Sequence, residues 1–273
     1  MFLAIDKPQW ITSFDVIRKL KRQFPKKTKI GHSGTLDPMA TGLLIIAVDK
    51  DTKRLHEFLG ADKSYETTID FSKMSDTWDM DYWELYEEYP VRHCEEWNDE
   101  AIQEESHVIS TAVSKANAVE KSPTLWDPST SSGWRSGLIK NNAFIPAPNI
   151  EQIKEKLYTL IPSAILPLTP FSAKKKDGKK LYELARAGVE VNETREMKVN
   201  SYEIIEYNFP ILKIKLDVGS GTYIRSIGYW LGKEFGLGGI LTSLRRTKIA
   251  DININTLQLH QSIEDISYTE VSL

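Results

Sequence analysis

An α+β fold is predicted from three features of this 273-residue chain. It has apolar runs of strand length, segments in which apolar and polar residues alternate, and amphipathic stretches that repeat every three to four residues. The predicted strands are Phe2 to Ile5, the wholly apolar run Leu43 to Val48, the alternating Tyr65, Thr67, Ile69 and Phe71, and the alternating Ile211 to Val218. A first helix is expected from Ser13 to about Phe24, with Phe14, Ile17, Leu20 and Phe24 on its apolar face. Thr12 stands where a cap belongs, and Asp15 three residues later completes a capping box. A second helix should begin near Asn149 and present Ile153, Leu157 and Leu160, and another should end near Phe235.

Composition narrows the function classes. The single cysteine, Cys94, excludes an internal disulfide and suits a reducing compartment. The longest apolar run is far too short to span a bilayer. The N-terminus meets Asp6-Lys7-Pro8 too early for a secretory signal, so a soluble, cytoplasmic protein without a membrane partner is expected. The net charge of −3 conceals a division. Residues 76–106 hold twelve acidic residues against Arg92 alone, which leaves about +8 for the rest of the chain, a balance compatible with a polyanionic partner. His93, Cys94 and His107 match no usual zinc spacing, and no metal is expected.

The stretch Gly31-His32-Ser33-Gly34-Thr35-Leu36-Asp37-Pro38-Met39-Ala40-Thr41-Gly42 runs straight into the Leu43 strand. Pro38 biases Asp37 toward extended backbone, which sets its carboxylate on a stiff loop at the mouth of a buried strand. A lone Asp in a glycine-rich loop is usually a turn residue bonded to its own backbone. Here the whole string resembles the signature of the TruB family of tRNA pseudouridine synthases, in which the Asp is the nucleophile. Further blocks of this chain resemble the family in the same order. They are Lys63-Ser64-Tyr65, Ser75-Asp76-Thr77-Trp78-Asp79, the block from Leu168 to Gly188, Gly221-Thr222-Tyr223-Ile224-Arg225-Ser226, and Leu244-Arg245-Arg246.

The resemblance implies a pseudouridine synthase fold with a mixed, mainly antiparallel central sheet flanked by helices. It implies Asp37 as the catalytic residue, and His32, Tyr65, Tyr223, Arg225 and Leu244 around the target base. Arg225 is expected to form a bidentate pair that aims Asp37. Residues 169–192 correspond to a mobile thumb that clamps RNA, with Lys174, Lys176, Lys179 and Lys180 in a short cationic loop able to reach phosphates. Arg18 and Lys21 of the first helix are either a solvated face or a phosphate-contacting surface.

The similarity covers about residues 1–90 and 146–263. Residues 91–145 are read as an insertion in a single catalytic domain, acidic at its start and a candidate docking site for a protein partner. After about Ile263 the chain is expected to hold little more, with no C-terminal PUA domain. The function implied is isomerisation of the T-arm uridine of tRNA (U55) by a monomer that needs no cofactor. An RNA-binding or tRNA-folding protein with lost catalysis is the alternative, disfavoured by intact Asp37, Tyr65 and Arg225. A guide-RNA-dependent synthase is disfavoured by the missing PUA domain.

Overall fold

Leu43 to Val48 are apolar without alternation because both faces of their strand are covered. In the computed structural model, Leu44, Ile46 and Val48 pack in one core with Leu3, Ile5, Val16, Ile17 and Leu20. Leu43, Ile45 and Ala47 pack in a second core with Phe2, Leu55, Phe58 and Ile249. A strand buried on both faces reads as a continuous hydrophobic run. The structure describes residues 1–80, 87–88, 91–93, 136–140, 143–172, 174–176, 178–187, 189, 193–263 and 266–271. Cys94, His107 and most of the acidic segment lie outside the described residues.

The chain divides into two units, residues 1–89 with 148–273, and residues 90–147. The second unit contains a three-stranded antiparallel sheet. The first unit begins with β1 (Phe2–Lys7), α1 (Ser13–Leu20), β2 (Ile30–His32), β3 (Thr41–Val48), α2 (His56–Leu59), β4 (Lys63–Asp70), β5 (Lys73–Met74) and β6 (Glu87–Glu88). The second unit supplies β7 (Val91–His93), β8 (Ser136–Lys140) and β9 (Ala143–Pro146). The first unit resumes with α3 (Ile150–Tyr158), β10 (Ser163–Pro167), β11 (Lys175–Lys176), β12 (Lys179–Lys180), α4 (Leu181–Arg186) and β13 (Thr194–Asn208). It closes with β14 (Ile211–Val218), α5 (Ile224–Glu234), β15 (Ile240–Ile249), β16 (Ile252–Asn253), β17 (Gln261–Ile263) and β18 (Ile266–Val271).

Eleven strands form one sheet whose spine runs β10-β13-β14-β4-β15-β3-β1-β18-β17. Its ladders are antiparallel except for β15 with β3, where Arg245 and Arg246 sit beside Thr41 and Gly42. The expected mixed, mainly antiparallel α+β architecture is therefore present.

Local expectations meet the structure unevenly. Thr12 and Asp15 form the capping box, and Asn149 with Gln152 forms another at the start of α3. Tyr65, Thr67, Ile69 and Phe71 are all buried, as their alternation requires. The first helix is shorter than expected, ending at Leu20 in a 3-10 turn, and Phe14 is not on its core face. Phe14 is 61% exposed, whereas Val16 is fully buried. Ile11, just before the cap, packs on the same core as Val16, so the contact that fixes the helix entry turns Phe14 outward. The chain beyond Ile263 is also more than a remnant. β18 pairs with β1 from Phe2↔Val271 to Asp6↔Ser267, burying Ile266 and Tyr268.

Candidate active site

The site is built where the starts of β3 and β4 meet the middle of β15. Gly42, the second residue of β3, has φ +98°, and a Cβ there would lie 2.3 Å from the Arg246 carbonyl oxygen, so this crossing requires glycine. The close approach brings the loop 33–40 against β15. Consecutive arginines of β15 then tie the surrounding segments together, Arg245 to β1 and Arg246 to β3 and the loop. Arg245 donates to both carboxylate oxygens of Asp6, at 2.9 and 2.8 Å. Arg246, fully buried, donates to the Leu43 carbonyl at 2.8 Å and the Gly34 carbonyl at 3.3 Å.

The other flank of the loop is tied to the N-terminal region. The buried Lys7 ammonium donates to the carbonyls of Pro8 (2.9 Å), Ile11 (2.7 Å) and Pro38 (3.2 Å). The Trp10 N–H donates to the Pro38 carbonyl at 2.8 Å. Ser13 Oγ accepts from the Leu36 N–H at 2.9 Å. Asp37 is thus held between two anchored neighbours, Leu36 and Pro38.

A cavity of about 360 Å³ opens beside this loop, lined among others by Asp37, Tyr65, Tyr223, Arg225, Leu244 and Arg246. Five of the six residues expected around the target base or at the catalytic position therefore share one cavity. The sixth, His32, is not among the lining residues. It sits at the end of β2, where its Nδ1 accepts the Gly34 N–H at 3.3 Å. Burial, helped by the charge of Arg246, lowers the His32 pKa below its ordinary value, so the ring is uncharged at neutral pH.

Arg225 does not form the expected bidentate pair with Asp37. One terminal nitrogen donates to Asp37 Oδ1 at 3.0 Å and to the Phe171 carbonyl at 3.3 Å. The other donates to the Thr77 carbonyl at 2.9 Å and lies 3.2 Å from Asp79 Oδ2. The Asp79 side chain is fully buried, and its ion pair claims the nitrogen that a bidentate contact to Asp37 would have used. The turn carrying Asp79 is itself locked, because Trp78 stacks on Tyr229 at 4.0 Å between ring centroids and 7° between planes. Tyr229 lies one helical turn beyond Arg225 on α5. Asp37 keeps its second oxygen free of hydrogen bonds among the described residues, with the side chain 32% exposed.

Several contributors escaped the sequence reading. Asp79 and Thr77 lie in a block whose resemblance is visible, yet their contacts with Arg225 span 146 and 148 residues. Lys63 belongs to the family-like Lys63-Ser64-Tyr65 block, from which no role in the site is read, and it lines the cavity. It donates to the carbonyls of Phe58, Leu59 and Ala61, and burial lowers its pKa to about 8. The RNA-contacting candidates are less uniform in placement. Arg18 and Lys21 are exposed, Lys174 is exposed, and Lys176, Lys179 and Lys180 lie on the β11–β12 hairpin, which turns at Gly178. Among the described residues no group of acidic, His or Cys side chains is arranged to hold a metal, and no helix is long and apolar enough to cross a membrane.

Comparison with known proteins places the chain in a family. A family model described as TruB family pseudouridylate synthase (N terminal domain) matches residues 21–122 and 126–224. The tRNA pseudouridine synthase B of Protochlamydia amoebophila is 34% identical over 249 residues, covering 90% of this chain and 72% of the relative. That of Chloroherpeton thalassium is 32% identical over 259 residues, covering 93% and 85%. Among solved structures, a chain of a Cbf5-Nop10-Gar1 complex matches with a TM-score of 0.53 at 20% identity, over 91% of this chain and 48% of that one. A chain of an H/ACA RNP bound to a substrate RNA containing 2'-deoxyuridine matches with a TM-score of 0.52 at 18% identity, over 92% and 48%. This chain spans about half the length of those solved chains, and the likeness carries the fold. With the family model covering most of its residues and relatives above 30% identity along nine-tenths of its length, the chain belongs to the TruB family of pseudouridylate synthases.

Proposed function

We propose that this protein converts the T-loop uridine of tRNA (U55) to pseudouridine, with Asp37 as the nucleophile. The observation that carries the reading is the division of labour at Asp37: Oδ1 is held by Arg225 at 3.0 Å, while Oδ2 is left for a substrate in the cavity. The reaction breaks the N1–C1′ bond and forms C5–C1′. The C5 hydrogen leaves as a proton and N1 takes one up, so the atoms balance without oxidant or leaving group. Attack at C1′ or C6, or proton abstraction at C2′, starts from the same carboxylate.

The relatives' name, tRNA pseudouridine synthase B, supports tRNA as the substrate class. A base in a folded loop must be extruded before it can react. Tyr65 and Tyr223 offer aromatic walls to the extruded base, Leu244 an apolar one, and neutral His32 fills the space that the base vacates. Lys174, Lys176, Lys179 and Lys180 of the thumb at 169–192, with Arg18 and Lys21, neutralise phosphates.

A tRNA transcript tests the reading directly. Carbodiimide mapping should find pseudouridine at the T-loop uridine, and none when that uridine is replaced by cytidine. Product at another position, or no product from a transcript that binds tightly, contradicts it.

A further inference from the structure

Trp10 and Phe14 are large aromatic side chains with 56% and 61% of their surface exposed. Single exposed hydrophobic residues are ordinary, but this pair has three features that packing does not explain. Trp10 holds a left-handed backbone, φ +66°, which is unfavourable for a bulky residue and is tolerated without strain by glycine. The apolar contacts that fix the start of α1 are already made by Ile11 and Val16, which leaves Trp10 and Phe14 without a role in the core. Among the described residues neither ring stacks on another aromatic. Instead the Arg18 guanidinium lies over the Phe14 ring, 5.4 Å from its centroid, while also pairing with Asp15.

Position and charge indicate what would cover these rings. The Trp10 N–H bonds the carbonyl of Pro38, the residue that follows Asp37, so Trp10 is anchored beside the loop that carries the nucleophile. Downstream, residues 18–29 supply Arg18, Lys19, Lys21, Arg22, Lys26, Lys27 and Lys29 with no acidic residue among them. Aromatic faces bordered by cations are the arrangement that binds single-stranded nucleic acid, the rings stacking on bases and the cations following the phosphates. We propose that Trp10, together with Phe14 and Arg18 of the following helix α1, is a stacking platform for an unpaired RNA base neighbouring the nucleotide that enters the cavity. The inference rests on the function proposed above and adds to it a second base-contacting surface, outside the cavity.

Trp10→Gly is the informative variant, because glycine accepts φ +66° and keeps the N–H that bonds Pro38. Its thermal midpoint should be equal to or above that of the wild type. The probe is a T-arm stem-loop carrying 2-aminopurine at each unpaired position in turn, with label release from C5-tritiated uridine followed on the unmodified RNA. Wild type should quench one loop position; Trp10→Gly should lose that quenching, bind about ten-fold more weakly and raise KM, with kcat within two-fold. The slope of affinity against salt should be unchanged, because phosphate contacts remain. Intact quenching with affinity within two-fold of wild type overturns the platform while leaving the synthase reading standing. A fall in kcat at unchanged KM also overturns it, since Trp10 would then only brace the Asp37 loop. Wild type that binds and quenches but releases no label refutes the synthase reading alone, and wild type that neither binds nor isomerises refutes both.

Discussion

Arg225 reaches Asp37 through a single nitrogen, 3.0 Å from Oδ1, because the rest of its guanidinium is committed to the buried carboxylate of Asp79 and the carbonyl of Thr77. One planar cation thus joins a carboxylate that faces the cavity to one that never meets solvent. Lysine retains the charge but not the fork, and it cannot serve both partners. Arg225→Lys should lower kcat/KM by about 10²-fold through misplacement of Asp37. Breaking the buried pair with Asp79 should also cost about 3 kcal/mol in urea denaturation. A variant with unaltered stability would show that Asp79 is not an essential partner.

The Lys7 ammonium works on the same loop from the other side. It is buried, and its three carbonyl partners include Pro38, adjacent to Asp37. Lys7→Met preserves most of the volume and removes a donor from three carbonyls, of which, among the described residues, Pro38 alone keeps another, the Trp10 N–H. We expect a loss of about 3 kcal/mol in the urea midpoint analysis, accompanied by a lower kcat. Unchanged stability would mean that the neighbouring N–H groups satisfy those carbonyls on their own.

Gly42→Ala tests the backbone crossing beneath the site. The new methyl would meet the Arg246 carbonyl at 2.3 Å and would have to tolerate φ +98°. A penalty of about 2–4 kcal/mol is expected from the combined overpacking and backbone strain. It should appear as a lower midpoint with the same denaturant slope, since the unfolded state is little altered.

Lys63 gives the fold a pH dependence of definite sign. Its pKa in the folded protein is about 8, against 10.5 when free, the burial of its ammonium being the main cause and the charge of Arg246 the second. The depressed value means that the protonated amine disfavours the native state below pH 8. That penalty fades as the pH rises from about 8 toward 10.5, where the unfolded chain binds more protons than the folded one. Wild type should therefore gain stability relative to Lys63→Met over that interval, in paired denaturation curves. A constant difference between the two proteins from pH 7 to 10 would contradict the assignment.

These cases show which parts of the molecule can be read along the chain. Local patterns carried the core strands: Tyr65, Thr67, Ile69 and Phe71 alternate and are buried, and Ile211–Val218 is a strand over its whole length. The long strand Thr194–Asn208 was missed because two register shifts, after Val199 and after Ile204, break its period of two. The pairing of Ile266–Val271 with Phe2–Lys7 joins the chain's two ends, and no local pattern encodes such a contact. Phe14 and Val16 were exchanged because helical spacing alone allows either to accompany Ile17 and Leu20; the packing of Ile11 decides between them. The gathering of Asp37, Tyr65, Tyr223, Arg225 and Leu244 was legible as a set of motifs. Asp79 was not, because its role exists only once Arg225 has been brought to it.

The most direct test of the central claim is release of tritium from C5-labelled uridine in a tRNA transcript, with wild type compared with Asp37→Asn under conditions where both are shown to bind. The substitution preserves the shape of the side chain and removes the carboxylate. Release by wild type and none by Asp37→Asn is the predicted result. Equal release by both proteins, or none by a wild type that binds tightly, would contradict an Asp37-dependent isomerisation.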